Sequence, residues 1–371
     1  MNKTRQPERL QSLDTLRGFD MFFIMGGGTL FIALSTLFPT PFFLSLSEQM
    51  VHASWHGLHW EDVIFPLFLF VAGISFPYSL EKQHAAQMSR VAIHRKIVMR
   101  GLTLVFLGCI YNGLLNFDFA HMRYCSVLGR IGLAWMLAAL IFVHTPTKPR
   151  IAITATILVG YWLLLALFPA PDGGGAGAFT MEGCLVGYID RLTVPGRLLL
   201  KVHDPEGLFS TLPAIGTALL GMFAGEWIKL QRENISESKK VCGLIAVGAC
   251  LVLIGLLWNT VFPINKNLWS SSFVCLVGGL SALLFAAFHY VVDVRGCRGW
   301  TLFFRVIGMN SITIYLAQRF VDISFTSEFL LEGVANVLPV AARDTVFALG
   351  YIALCWGFLY FLYRQRIFLK V

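Results

Sequence analysis

The chain has 371 residues, of which 56% are hydrophobic and only 13% are charged. A typical soluble domain has about 25% charged residues, so this composition, with a mean hydropathy of +0.69, excludes an ordinary soluble protein. The net charge of +8 does not indicate nucleic-acid binding, because Lys and Arg in membrane proteins mainly mark the loops that face the cytoplasm. The sequence therefore predicts an integral membrane protein that contacts the lipid bilayer and has no nucleic-acid partner.

Ten apolar stretches follow one another along the chain, each near the length of about 20 residues that crosses a bilayer. Charged residues, Pro or Gly bound them. We expect an all-α polytopic membrane helix bundle of about ten transmembrane helices, in a single domain over residues 1–371. The stretches lie near residues 17–39, 61–80, 98–116, 126–145, 150–169, 207–228, 242–262, 268–292, 299–321 and 344–363.

The placement of Lys and Arg predicts the orientation of this bundle. Most of the 29 basic residues fall in segments on one side of it, and such a bias marks the cytoplasmic side. Both termini are therefore expected in the cytoplasm, and segment 1–16, which lacks a small-residue cleavage site, is not expected to be a signal peptide. Loop 40–60 has no Lys or Arg and is expected outside, as is the longest outer loop, 170–206, which carries a predicted interfacial helix.

Two of the apolar stretches contain helix-breaking sequences, "MGGG" in the first and "TLPAIG" in the sixth. Broken helices in matching positions are typical of transporters, although Gly also permits close helix packing and Pro is common in membrane helices. Gly26–Gly28 is not a phosphate loop, because no Lys-Ser/Thr pair follows and no strand precedes it. We expect it to let another group approach the backbone closely.

Ionisable side chains at membrane depth are costly, so each is a functional hypothesis or half of an ion pair. His52 has the chemistry of a general base, and the carboxylate of Asp62 is the candidate to orient it. The alternative is an inert histidine at the membrane interface. His52, His56 and His59 also have a spacing that could bind metal, but this signal is weak by itself and we expect no metal.

Arg130 and Lys266 are candidates to hold an anionic ligand, since Arg suits bidentate contact with oxyanions and Lys acts as a point charge. They could equally pair with Asp62, Glu61 or Asp204 to stabilise the bundle. The eight cysteines show no CxxC spacing. Only Cys125 and Cys184 share the predicted outer face, where a disulfide is an open alternative.

Six stretches together resemble the transmembrane acyltransferases typified by heparan-alpha-glucosaminide N-acetyltransferase, including shorter bacterial relatives. The resemblance is collinear and covers nearly the whole chain. Its residues are "RLQSLDTLRGFDM" at 9–21, "HASWHGLHWEDVIFPLFLFVAG" at 52–73, "VLGRIGLAW" at 127–135, "DPEGLFSTLPAI" at 204–215, "INKNLWSSSFV" at 264–274 and "GMNSITIYL" at 308–316.

This resemblance implies an enzyme that uses cytosolic acetyl-CoA to acetylate the amine of a glucosamine-type sugar on the far side of the membrane. His52 matches the active-site histidine of the family, as general base or acetyl carrier, and Asp62 matches the aspartate of the same block. Residues 265–267 match its NKN motif. For a short homologue, the resemblance implies a multi-pass protein of the bacterial inner membrane, with an amino sugar or glycan as substrate and a homodimer as one possible assembly.

From the resemblance and from placement in the chain we also predict residues that contact the two substrates. The residues expected to hold acetyl-CoA are Arg17, Arg130, Lys266 and Asn310. The residues expected to contact the sugar are Asp204, Glu206, Asn265, Asn267 and Trp55.

The chain departs from the family pattern at two places. An asparagine before the glycine run is replaced by Ile24 or Met25, and Gln318 stands at or near a histidine of the animal enzyme. These departures keep two other functions open. One is an inner-membrane transporter for an amino sugar such as N-acetylglucosamine or N-acetylmuramic acid, and the other is a protein that binds a glycan or lipid head group without turnover.

Overall fold

A computed structural model describes residues 10–230 and 235–369 of the protein. Helices dominate these residues, and the β pairing within them is one isolated bridge between Arg123 and Gly196. The all-α fold class is therefore confirmed. The α-helices of the described residues are α1 (Gln11–Phe22), α2 (Gly28–Leu37), α3 (Pro41–Glu48), α4 (Trp60–Ala85), α5 (Arg90–Tyr111), α6 (Val127–His144), α7 (Thr147–Leu167), α8 (Leu185–Thr193), α9 (Thr211–Lys229), α10 (Glu237–Trp258), α11 (Ser271–Phe288), α12 (Thr301–Met309), α13 (Ser311–Phe320), α14 (Ile323–Asn336) and α15 (Val340–Arg364).

Within residues 10–230 and 235–369, eight helices are long and apolar enough to cross a membrane. The remaining two of the ten predicted stretches are helical but differ from these eight. The stretch at 98–116 belongs to α5, whose first three turns carry four basic residues. The stretch at 299–321 is divided at Asn310 into the short helices α12 and α13.

The described residues form two compact units. Unit one comprises residues 10–51, 235–245 and 283–369, and unit two comprises residues 52–230 and 246–282. The single domain expected over residues 1–371 stays a prediction.

In unit one, α1 and α12 cross at two glycines. A Cβ added to Gly18 would lie 1.7 Å from the carbonyl oxygen of Phe304, and one added to Gly308 would lie 2.0 Å from that of Asp14. Small residues at such crossings let helix backbones touch, which is the usual basis of helix association in membranes. The "LRGFD" and "GMNS" segments are thus packed together by backbone contact.

The two predicted helix interruptions have different outcomes. The "MGGG" segment lies where a π-helical turn, Phe23–Gly27, joins α1 to α2, and Gly26 adopts a φ of 114° that favours glycine. A Cβ on Gly26 would lie 3.0 Å from the ring of Tyr351, so another group does approach the backbone there. The interruption predicted at "TLPAIG" is wrong, because Pro213 lies in the first turn of the unbroken helix α9, where a proline costs no intrahelical hydrogen bond.

In unit two, α4 and α9 pack along a stripe of small residues. Cβ atoms on Gly73, Gly221 and Gly225 would lie 2.4, 2.1 and 2.4 Å from backbone carbonyl oxygens of the facing helix. This contact fixes α4, whose N-terminal end carries the functional residues described below.

The predicted outer loop 170–206 contains α8, which begins at Leu185 and ends at Thr193. The helix ends before Pro195, which cannot continue it. Cys125 and Cys184 are both free thiols, so the disulfide considered between them is not formed.

Candidate active site

His52 and Asp62 form a hydrogen-bonded pair at the start of α4. The Nδ1 atom of His52 lies 2.9 Å from Oδ1 of Asp62. The histidine side chain is 56% exposed, whereas the carboxylate is 2% exposed. Because an ionised carboxylate can only accept, Nδ1 carries the proton, and the lone pair of a neutral His52 is on Nε2, the nitrogen that can take up a proton.

The backbone explains why Asp62 is fixed in place. Its Oδ2 accepts hydrogen bonds from the backbone N–H groups of Ala53 and His59, both at 3.1 Å. Asp62 is the third residue of α4, and a carboxylate is favoured there because it satisfies donors at a helix N-terminus. The Asp62 carboxylate thus holds the His52 segment, residues 52–59, against the first turn of α4.

Lys266 completes this group, which we call the histidine site (His52, Asp62 and Lys266). Its Nζ lies 3.2 Å from both ring nitrogens of His52 and 3.7 Å from Oδ1 of Asp62. Since Nδ1–H of His52 is donated to Asp62, the ammonium can donate only to Nε2. Burial lowers the pKa of Lys266, although nearby carboxylates including Glu206 oppose that shift.

Asn265 anchors the His52 segment to the loop that carries Lys266. Its buried side chain lies 3.3 Å from Nδ1 of His56 and accepts from the backbone N–H of Leu268. The backbone N–H of Gly57 also donates to the carbonyl of Ile264 at 2.9 Å. The sugar contact predicted for Asn265 stays a prediction, but its observed contacts hold the histidine site together.

The three histidines considered as metal ligands have separate partners. His52 faces Asp62, His56 faces Asn265, and the backbone N–H of His59 donates to Asp62. Among the described residues, no group of three or more His, Cys, Asp or Glu side chains is arranged to hold a metal ion.

A buried ion cluster joins the loop before α6 to the loop before α9. Arg123 donates to both carboxylate oxygens of Asp204, at 2.8 and 2.6 Å, and also to Glu206. Burial works against the charged form of Arg123, but the two carboxylates raise its pKa above the usual range. Burial likewise raises the pKa of Asp204, but hydrogen bonds from Arg123 outweigh it and leave that pKa below its usual value.

These contacts favour a structural role for Asp204, because four donors already surround its carboxylate, two of them the backbone N–H groups of Leu199 and Glu206. Glu206 interacts electrostatically with Lys266 and is the better placed of the two for the predicted contact with an amine.

His203 and Trp55 form an aromatic contact beside this cluster. Their rings meet edge to face at 5.3 Å between centroids, and Nε2 of His203 donates to the carbonyl of Asn267 at 3.0 Å. Burial lowers the pKa of His203 to about 4, so this histidine is neutral near pH 7. The indole N–H of Trp55 donates to the carbonyl of Phe179, which leaves the ring itself as the surface for the predicted sugar contact.

Arg130 is a buried cation without a direct carboxylate partner among the described residues. Its Nη2 donates to the carbonyl of Gly207 and to Ser210, and the guanidinium lies 4.9 Å from the ring centroid of Trp269. In the described part of the chain, Nε and Nη1 have no hydrogen-bond partner. Buried donors are rarely left unpaired, so these two N–H groups are placed to donate hydrogen bonds to a polar ligand.

Asp190 is a second buried carboxylate of this region. Its Oδ1 accepts from the backbone of Phe209, and Gly207 leaves the space it needs, since a Cβ there would lie 1.7 Å from Oδ2. Burial raises the pKa of Asp190 to about 6, although the Phe209 hydrogen bond and the charge of Arg130 oppose this.

The two other residues predicted to hold the donor belong to unit one. Arg17 lies 3.5 Å from Asp14 in an ion pair. Asn310, at the junction of α12 and α13, donates to the backbone carbonyl of Ile367 at 3.3 Å. Their contact with acetyl-CoA stays a prediction.

The two departures from the family pattern also belong to unit one and lie against each other. The side-chain amide of Gln318 contacts the carbonyl oxygen of Ile24 at 3.4 Å and the hydroxyl of Tyr351 at 2.6 Å. The glutamine therefore ties α13 to the π-helical turn, a contact that neither residue suggests by itself.

Comparison with known proteins adds to this geometry. A family model described as a domain of unknown function (DUF5009) matches residues 9–116. The chain is 27% identical to human heparan-alpha-glucosaminide N-acetyltransferase over 428 residues, and the match covers 98% of the chain. The family resemblance is confirmed. The mouse heparan-alpha-glucosaminide N-acetyltransferase is 26% identical over 424 residues.

The chain spans about 60% of the length of these two acetyltransferases. The DUF5009 match includes the His52 segment and the first turn of α4. Sequence analysis identified His52, Asp62 and Lys266, which the structure brings together, but it missed Arg123, His203 and Asp190 as members of the surrounding cluster.

Proposed function

We propose that this protein transfers an acetyl group from acetyl-CoA to the amine of a glucosamine-type sugar, with His52 as general base. The observation that carries the proposal is the His52–Asp62 pair, in a chain that aligns with N-acetyltransferases over 98% of its length. The proposal includes a bacterial inner-membrane location, a cytoplasmic donor and an acceptor on the opposite side.

His52 would remove the proton of the attacking amine. Asp62 accepts Nδ1–H and stabilises the imidazolium that forms when Nε2 takes this proton. The new C–N bond forms at the thioester carbonyl as the C–S bond breaks, and His52 then gives the proton to the leaving sulfur. Transfer through His52 itself as nucleophile uses the same residues, with Asp62 in the same orienting role.

Lys266 would stabilise the oxyanion that develops on the thioester carbonyl. Its Nζ is 3.2 Å from Nε2 of His52, so a carbonyl placed for attack beside Nε2 lies within its reach. A preorganised cation of this kind is among the strongest contributions to acyl transfer. In the absence of substrate the same ammonium occupies the Nε2 lone pair, so it must shift towards the carbonyl when the amine arrives.

Arg130 fits an anionic or strongly polar donor because two of its buried N–H groups have no partner in the described residues. We propose that Arg130 and Lys266 hold part of acetyl-CoA. For the sugar, the ring of Trp55 offers a stacking surface and Glu206 a carboxylate, with Asp204, Asn265 and Asn267 supporting their positions.

The test uses proteoliposomes that hold glucosamine, with radiolabelled acetyl-CoA supplied outside. We expect labelled N-acetylglucosamine from the wild type, and a loss of at least about 10²-fold in His52→Ala, the range for removal of a general base. His121→Ala is the matched control, because His121 forms a similar pair with Asp118 at 2.9 Å that is exposed. Undiminished product from a folded His52→Ala variant would contradict the proposal.

The second candidate is a transporter for an N-acetylated amino sugar. It is supported by two helix interruptions in unit one, the turn at Gly26 and the junction at Asn310, since interrupted helices line the substrate sites of many transporters. Uptake of labelled N-acetylglucosamine without any acetyl donor, combined with no acetyl transfer, would favour it.

A further inference from the structure

A second group of histidines lies at the other end of α4, far from the histidine site. Asp62 and His84 are separated by about 33 Å along this helix, at 1.5 Å per residue. The end of α4, the start of α5 and the end of α6 enclose a cavity of about 480 Å³. We call it the basic cavity, and its lining residues are His84, Met88, Arg90, Ile93, His94, Val143 and His144.

Two of the lining histidines are hydrogen-bonded to each other. Nε2 of His94 lies 2.8 Å from Nε2 of His144, and Nδ1 of His94 lies 2.6 Å from the carbonyl oxygen of Arg90. That carbonyl can only accept, so Nδ1 of His94 carries a proton, and the neutral pair uses Nε2–H of His144 as the bridging donor.

Arg90 adds a permanent positive charge to this lining. Its guanidinium forms no ion pair with a carboxylate in the described part of the chain, and the side chain is exposed. Among the residues that the structure describes, no acidic side chain lines the cavity. Glu81, on the same helix as His84, pairs with Lys229 at 3.2 Å, and Glu226 pairs with Arg150 at 2.9 Å.

The surface next to the cavity suits a lipid. The outer face of α5 presents a row of exposed apolar side chains at helical spacing, and a helix in a membrane turns such a row towards the acyl chains. These side chains are Val91, Met99, Leu102 and Phe106, which are 78%, 54%, 49% and 56% exposed.

From this arrangement we propose that the basic cavity binds the phosphate of an anionic phospholipid, with Arg90 and the His94–His144 pair as its contacts. The acyl chains would lie along the apolar row of α5. Basic pockets between helices at a membrane surface are known to hold anionic head groups. A dissolved phosphate compound has the same head-group chemistry, but it has no acyl chains to pack against the apolar row of α5.

Native mass spectrometry of the full-length protein, purified in a neutral detergent, tests this proposal. We expect phosphatidylglycerol to bind at least tenfold more tightly than phosphatidylcholine, whose choline cancels the charge of the phosphate. The variant Arg90→Gln/His144→Gln should lose this preference. Arg197→Gln is the matched control, because Arg197 is an exposed arginine with the same charge that neither lines the cavity nor lies on α5; it should retain the preference.

Three results would overturn the proposal. They are equal binding of the two lipids, an unchanged preference in the double variant, or displacement of phosphatidylglycerol by equimolar glycerol phosphate, which would indicate a soluble phosphate ligand instead. Because both substituted side chains are exposed, the double variant should keep the melting temperature of the wild type. If it unfolds, Arg90→Gln alone replaces it, with the same expected loss of preference.

Discussion

Histidines lie near both ends of α4, His52 before its first turn and His94 and His144 on the helices beside its last turn, but the partners of these histidines differ. At one end, His52 is held by a buried carboxylate that leaves one ring nitrogen available. At the other end, His94 and His144 hold each other, and the lining residues around them include a guanidinium but no carboxylate. In our proposals, the first environment makes a base and the second makes a cationic surface. The residue type is the same, so the neighbouring charge decides the chemistry.

The largest expected effect comes from removing the negative charge of Asp62, which distinguishes the surroundings of His52 from those of His94 and His144. Asp62→Asn keeps an oxygen for the backbone donors but can no longer stabilise an imidazolium, so we expect kcat for acetyl transfer to fall by about 10²–10⁴-fold. KM for the sugar should change little. Steady-state kinetics in proteoliposomes measures both, with Asp118→Asn as the control. An equal rise in KM would point to substrate binding instead.

The next effect concerns the cation of the histidine site. Lys266→Gln removes the charge beside Nε2 of His52, and loss of one oxyanion-stabilising donor typically costs about 10²–10³ in rate. Lys266→Arg keeps the charge and should recover part of the activity. If Lys266→Gln is as active as the wild type, the lysine is a structural partner of Asp62 and does not stabilise the oxyanion.

A substitution in the middle of unit two should weaken the helix pair that carries the histidine site. Gly221→Ala places a Cβ 2.1 Å from the carbonyl of Phe70 on α4, and overpacking of this kind costs about 1–3 kcal/mol. We expect a lower melting temperature together with lower acetyl transfer. Gly160→Ala is the control, since a Cβ there meets nothing within 4 Å. Equal melting temperatures would show that α4 and α9 separate easily.

The smallest effect concerns pH and the buried carboxylate Asp190. Its pKa of about 6 lies above the usual value, so its protonated form stabilises the fold at low pH and this contribution is lost as the pH rises through about 6. Between pH 5 and pH 7 the loss is about 1 kcal/mol. Asp190→Asn has no carboxyl group to titrate at this position. The melting temperature of the variant, relative to that of the wild type, should therefore rise from pH 5 to pH 7. A constant difference would contradict the raised pKa.

Some of this organisation is readable from the sequence because it is local. His52 and Asp62 are ten residues apart, and the step from a polar segment to an apolar run marks the helix start between them. Composition likewise predicts the helical membrane bundle. Lys266 is 214 residues from His52, and it was connected with the site as an ionisable residue at membrane depth and through the "NKN" motif of the family.

Other features depend on tertiary contacts that no local pattern encodes. Arg123 meets Asp204 across 81 residues, and nothing in the sequence distinguishes Arg123 from an ordinary loop charge. The raised pKa of Asp190 follows from its burial beneath Gly207, which the sequence does not reveal. The interruption at "TLPAIG" was predicted wrongly because the sequence does not show whether a proline lies inside a helix or in its first turn.

The hydrogen bonds of Asp62 connect the proposed catalysis to hydrogen exchange. The backbone amides of Ala53 and His59 donate to the same carboxylate that contacts His52. Fraying of the first turn of α4 that displaces this carboxylate would release His52 and expose both amides to solvent together. Under the proposed function, the exchange rates of these amides therefore report, without any substrate, how often the carboxylate leaves its place beside His52.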